Sequence, residues 1–164
     1  MSWFNQIRLF AIAATLGIAA CGFTPLHGPN EAATKTRGLI EVAEVPGVTG
    51  FEMRRQLSEL LGVGPEPTHL LTVSVSTSQQ GLAITQESDI TRFNITGTAT
   101  YALTNSAAGV EVLTGEVRAF AAYSSNDAPF ATDVAERDAQ RRLAQSLSDQ
   151  IATRITASAD RWAP

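Results

Sequence analysis

Arg92-Phe93-Asn94-Ile95-Thr96-Gly97-Thr98-Ala99-Thr100-Tyr101-Ala102-Leu103 alternates without a slip. Phe93, Ile95, Gly97, Ala99, Tyr101 and Leu103 share one side, and Arg92, Asn94, Thr96, Thr98 and Thr100 share the other. A period of two held over this length is a strand with one face on a core and one in water. Going outward toward the C-terminus, Asn105 to Gly109 is a polar turn and Val110 to Tyr123 alternates again. There Leu113, Gly115, Val117, Ala119, Ala121 and Tyr123 oppose Val112, Thr114, Glu116, Arg118, Phe120 and Ala122. Toward the N-terminus, Gln86 to Asp89 is a turn, and before it Leu71, Val73 and Val75 alternate with Thr72, Ser74 and Ser76. Gln79-Gln80-Gly81 breaks that pattern and Leu82-Ala83-Ile84 resumes it, which predicts a bulge near Gly81. Three long strands joined by short turns predict an antiparallel meander with one covered face. Its other face is rich in Thr and Ser, a surface that can stay solvated or line a groove.

The flanks supply the cover. Leu39 to Val45 reads as a short strand ended by Pro46-Gly47. Thr49-Gly50-Phe51-Glu52 has capping-box spacing, followed by a helix with Met53, Leu57, Leu60 and Leu61 on one face and Gly62 as its C-terminal stop. Gly64-Pro65-Glu66-Pro67 then breaks the chain before the meander. After Ser124 to Pro129 a long helix is expected from about Thr132 to about Ala159. Its first turns are acidic, which suits the helix dipole, and Asp133–Arg137 and Asp138–Arg142 have the favourable i,i+4 order. Leu143, Ala144, Leu147, Ile151 and Ile155 form its apolar stripe, continued by Trp162 if the helix reaches that far. The order strand-helix-strand-strand-strand-helix predicts an α+β domain, with two helices on one face of a four-stranded, mainly antiparallel sheet.

Upstream, Leu9 to Ala20 is an uncharged apolar run preceded by Arg8. It is too short to span a bilayer, which takes about 20 apolar residues, and has the proportions of a secretory signal. It ends at Ile18-Ala19-Ala20-Cys21, and Cys21 is the single cysteine. That tetrapeptide resembles the lipobox of bacterial lipoproteins, which implies that Cys21 becomes the acylated first residue of the mature chain. The plainer alternative is an ordinary signal with an incidental cysteine, or a buried thiol. Two or three acyl chains anchor stably where one does not. Gly22, in place of the aspartate that retains enteric lipoproteins at the inner membrane, points to the periplasmic side of the outer membrane. The expected organisation is residues 1–20 as lipoprotein signal peptide, 21–38 as lipidated tether and 39–164 as one domain. The leader holds one of the 12 basic residues and none of the 16 acidic ones, so the mature charge is −5. Such a balance argues against a nucleic-acid partner.

No catalytic constellation emerges. His27 and His69 have no evident partners, and no nucleophile elbow, phosphate loop or metal-ligand spacing is present. No cofactor or metal is expected, nor enzymatic activity.

A set of motifs does carry a resemblance. Cys21-Gly-Phe-x-Pro-Leu, Gly81-Leu-Ala-Ile-Thr, Arg92-Phe-Asn-Ile-Thr-Gly-Thr-Ala, Arg118-Ala-Phe-Ala-Ala-Tyr and Ser125-Asn-Asp-Ala-Pro-Phe-Ala-Thr, with Ala135-Glu-Arg-Asp-Ala beyond, occur in this order. Together they resemble the lipopolysaccharide-assembly lipoproteins of the LptE family, of alphaproteobacterial type. The resemblance implies a non-catalytic outer-membrane protein that plugs an LptD-type β-barrel and assists insertion of lipopolysaccharide into the outer leaflet. In enteric members a basic residue near the tip of the second hairpin is linked to lipopolysaccharide; the matching Thr85-Gln86-Glu87 has no cation, so that site is not carried over. A generic periplasmic lipid- or small-molecule-binding lipoprotein is the alternative. It requires a concave apolar pocket between helices and sheet. A bare structural anchor without ligand is a third reading. For a polyanion, Arg92 and Arg118 are the candidate ligand residues, since both project from the less apolar face of the meander. Each either holds a lipid A phosphate or pairs with a surface acid such as Glu116 or Asp89.

Overall fold

The computed structural model describes residues 32–84, 90–125 and 128–163; the leader, the lipobox, His27 and the Gln86–Asp89 turn lie outside them. Its elements are α1 (Ala32–Thr36), β1 (Ile40–Val42), α2 (Gly47–Leu61), β2 (His69–Ile84), β3 (Ile90–Asn105), β4 (Val110–Ser124) and α3 (Pro129–Ala157), closed by a 3₁₀ turn at Ala159–Arg161. The sheet order is β1-β2-β3-β4. Short β1 pairs parallel with β2, and the rest is antiparallel. Both helices cover one face, so the α+β architecture expected from the sequence is the one observed.

The alternation decides what is buried. Ile95, Ala99, Tyr101 and Leu103 of β3 face Leu71 and Val73 of β2 and Val117, Ala121 and Tyr123 of β4 across a common inner surface. Leu143, Leu147, Ile151 and Ile155 of α3 and Met53 and Leu57 of α2 lie on that surface, every one fully buried. The predicted bulge is present: register slips between Gly81 and Ala83 and again before Ile84. Tyr101 pairs with Gly115, and a Cβ on Gly115 would sit 2.6 Å from the Tyr101 hydroxyl. The glycine is the hollow into which the ring lies.

Three local expectations need correction. Thr49 does not cap α2, which starts two residues earlier at Gly47, behind an extended Pro46 and without a side-chain cap. Glu52 instead pairs with Arg55 at 3.2 Å. Leu60 is 42% exposed while Met53, Leu57 and Leu61 are buried. At 100° per residue the buried arc runs from Met53 through Gly50 and Leu57 to Leu61, and Leu60 falls about 20° beyond its edge. Helix α3 starts at Pro129 rather than Thr132, with proline in the first turn where its missing N–H costs nothing, and ends at Ala157. Trp162 is therefore delivered by the 3₁₀ turn; its indole N–H reaches the Ile155 carbonyl at 3.3 Å and Ser158 Oγ at 3.2 Å. Asp133–Arg137 and Asp138–Arg142 are made as the spacing predicts, at 4.0 Å and 3.0 Å.

Upstream of β1 the sequence shows no period, yet Ala32–Thr36 forms one helical turn that packs against α3 and the 3₁₀ turn and buries Thr36. Ala32, the first described residue, thus lies at the end of the molecule that carries Trp162 and the β3–β4 turn. Arg92, paired with Ser124 at the other end of the sheet, lies about 43 Å away along β3.

Candidate interaction surface

The face of the sheet away from the helices is open. Along β2 it carries Thr72, Ser74, Ser76 and Ser78, all exposed. Thr96, Thr98 and Thr100 of β3 stand opposite the last three of these residues, and Thr114 of β4 lies beside Ala102. The result is a neutral hydroxyl surface crossed by few charges. Thr72 Oγ1 donates to the Ala102 carbonyl at 3.2 Å. Phe120 is its one strongly exposed aromatic among the described residues.

Arg118 and Arg92 both occupy this face, but the sheet does not bring them together. Arg118 pairs with Thr98, six positions along β3 from Arg92, or about 20 Å. Arg118 meets Glu116 at 2.7 Å, with both side chains largely in water. Such exposed pairs contribute about 0–1 kcal/mol. Arg92 has no ion-pair partner among the described residues. It lines a corner cavity of about 330 Å³ together with Tyr123, Ser124, Ala135, Asp138 and Arg142. The sequence reading missed Arg142, which is fifty positions away and looked like part of a solvated helix face. Its guanidinium donates to Asp138 at 3.0 Å and to the Ala122 carbonyl at 3.1 Å. Two guanidiniums and one carboxylate leave the corner with one net positive charge, a fit for a phosphate or carboxylate oxygen. Beside it, Tyr123 stacks on Phe93 at 5.2 Å and accepts from Gln79 at 2.7 Å. Burial, then the nearby Glu136 carboxylate, hold its phenol above the ordinary tyrosine range.

The space between helices and sheet is filled by the leucines and isoleucines named above. Three cavities sit at the rim: about 400 Å³ beside β1 and Arg54, about 330 Å³ between Val48 and the start of α3, and the Arg92 corner. A shallow one of about 250 Å³ lies on the sheet itself among Thr72, Ser74, Thr100 and Ala102. Among the described residues no cluster of His, Cys, Asp or Glu is placed to hold a metal ion, and no helix is long and apolar enough to cross a membrane.

Residues 40–155 match the family model described as LptE, lipopolysaccharide-assembly. Among solved structures, a lipoprotein from Caulobacter crescentus CB15 shares the fold with a TM-score of 0.68, at 23% identity over 81% of this chain and 98% of that one. A minor lipoprotein from Acinetobacter baumannii superposes with a TM-score of 0.58, at 18% identity over 74% of this chain and 92% of that one. Lipoprotein B from Nitrosomonas europaea gives 0.58 at 12% identity, covering 84% and 94% of the two chains. No curated protein matches the chain.

Proposed function

The chain belongs to the LptE family of lipopolysaccharide-assembly proteins, and from that premise we propose that it is held at the outer membrane through Cys21, plugs an LptD-type β-barrel and assists delivery of lipopolysaccharide to the outer leaflet. The observation that carries this reading is the pairing of a filled core with an open, hydroxyl-rich sheet face. The lumen of an outer-membrane barrel is polar, so a plug must present hydroxyls and scattered charges to it rather than a greasy surface. The dimensions agree. β2 has 16 residues, about 53 Å of strand, against an apolar band about 25 Å tall in such barrels. From Cys21 to Ala32 the chain can reach at most about 40 Å. A protein anchored in the periplasmic leaflet can therefore place its Arg92 end deep in a lumen. The lipid-carrier alternative loses support because the slot it needs between helices and sheet is occupied by side chains.

Two measurements test the reading. Affinity purification of the membrane-extracted protein should bring down a large outer-membrane barrel; its absence would sink the plug. Cys21→Ser should abolish incorporation of labelled palmitate, and continued labelling would remove the anchor.

A further inference from the structure

A four-stranded sheet has two edges, and this protein treats them differently. The backbone pattern fixes which groups face outward. Ala43 N–H donates to the Leu71 carbonyl at 2.9 Å on the β1 side, while Ser106 N–H donates to the Thr68 carbonyl at 2.9 Å on the β3 side. Alternate residues of a strand point their N–H and C=O to opposite sides. The odd-numbered residues of β2 therefore face the β1 side up to the bulge, and carrying the alternation through β3 turns the even-numbered residues of β4 to the opposite edge.

The β4 edge is covered by α3 from Glu116 to Ala122. Arg142, Gln150 and Arg154 donate to the carbonyls of Ala122, Arg118 and Glu116 at 3.1, 3.1 and 2.6 Å. Covering an edge in this way removes a template for pairing with another chain. Among the described residues the β2 edge has no such cover. β1 pairs only as far as Leu71. Beyond it, Val73, Val75, Thr77 and Gln79 turn their N–H and C=O groups outward, and none has a backbone partner among the described residues. From Leu70 to Ile84 there is no charge and no proline, so the usual deterrents to strand addition are missing as well. The clean edge from Val73 to Gln80 is about 26 Å long and stops at the Gly81 bulge.

We infer that this edge seats an extended segment of the barrel partner, added beside β2 in line with β1; the inference rests on the plug reading above. A row of unmade backbone donors and acceptors is complementary to one thing, another extended backbone. A closed barrel wall has no free edge to offer, so the segment is a loop that enters the lumen. Its side chains alternate between the Ser and Thr face and the Val75–Gln79 side, and it carries no proline where it must donate.

The test uses the full-length protein with its own barrel in cells. Thr77→Pro removes an N–H that no described residue accepts from, at an edge position where proline is tolerated, so the variant should keep its circular dichroism. It should copurify about tenfold less barrel, as loss of an edge donor and a steric block to pairing require. A photo-crosslinking benzoylphenylalanine at Ser76 should form an adduct with a barrel loop, whereas the same group at Thr114, on the open face away from the β2 edge, should reach only the barrel wall. If Thr77→Pro misfolds, the Ser76 adduct decides. A folded Thr77→Pro protein that retains the full parent level of barrel overturns the inference, and so does a Ser76 adduct to a second copy of this chain. Barrel capture without any Ser76 adduct removes the edge assignment and leaves the plug reading standing. Failure of the parent to capture a barrel removes both.

Discussion

His69 begins β2 with its ring closed off from water. Nδ1 lies 2.9 Å from Thr68 Oγ1, the ring meets Trp162 edge-on at 5.0 Å, and Nε2 is buried with no partner among the described residues. Whichever tautomer forms, one ring nitrogen goes unsatisfied. A second proton would add a buried charge, and burial accordingly lowers the imidazole pKa below 6.5. The unfolded chain then binds more protons than the folded one between the two values. Stability is complete above about pH 6.5 and is lost as pH falls from there toward the folded-state value. We expect the parent to melt at a lower temperature at about pH 5 than at about pH 7.5, and His69→Phe, which keeps a ring against Trp162, to lose less over the same interval. Equal losses would place the pH dependence elsewhere. His69 has this role because β1, the 3₁₀ turn and β2 converge on it, which no spacing in the sequence reveals.

The elements were legible in proportion to how long their period runs. The meander could be read from Phe93 to Leu103 and from Leu113 to Tyr123 because ten or more residues vote on the same face. The short helix was harder. A Thr-x-x-Glu pattern at Thr49 is one local vote, overridden by Pro46 and Gly47, where the chain already turns. Leu60 was assigned to the core by hydrophobicity, although its angle places it at the margin. Those two leucines give a direct test. Leu57→Ala should cost about 2–5 kcal/mol, because the side chain is fully buried against α3 and the sheet. Leu60→Ala should cost under about 1 kcal/mol, as a mostly exposed position does. Chemical denaturation of the two variants reads this difference, and similar midpoints would mean that α2 is rotated from its assigned face. What periodicity could not supply was adjacency at the margins. Arg142 lining a cavity with Arg92, and Gln150 and Arg154 donating to carbonyls of the β4 edge, both depend on which strand is outermost.

On the scale of the whole molecule, residues 21–164 carry a net charge of −5, so their long-range field repels a polyanion. Any phosphate must be held by local cations, and the structure separates the two arginines proposed for that role. Arg118 is already engaged by Glu116 on the middle of the open face. Arg92 stands at the end of the sheet far from Ala32, next to Arg142 and the corner cavity. A guanidinium–phosphate hydrogen bond contributes about 1.5–3 kcal/mol when well formed, whereas freeing Arg118 from its surface partner yields little. Arg92→Ala should therefore weaken lipopolysaccharide binding about tenfold at low salt, Arg118→Ala should have less effect, and the double variant should resemble Arg92→Ala alone. Because both groups are exposed, the differences should shrink as salt is raised through about 0.15 M, where the Debye length is about 8 Å. Binding of lipopolysaccharide to the parent and the three variants at two ionic strengths decides the matter. A double variant that binds as tightly as the parent at both would leave the anionic ligand without a site on this face, and barrel plugging as the role the fold serves.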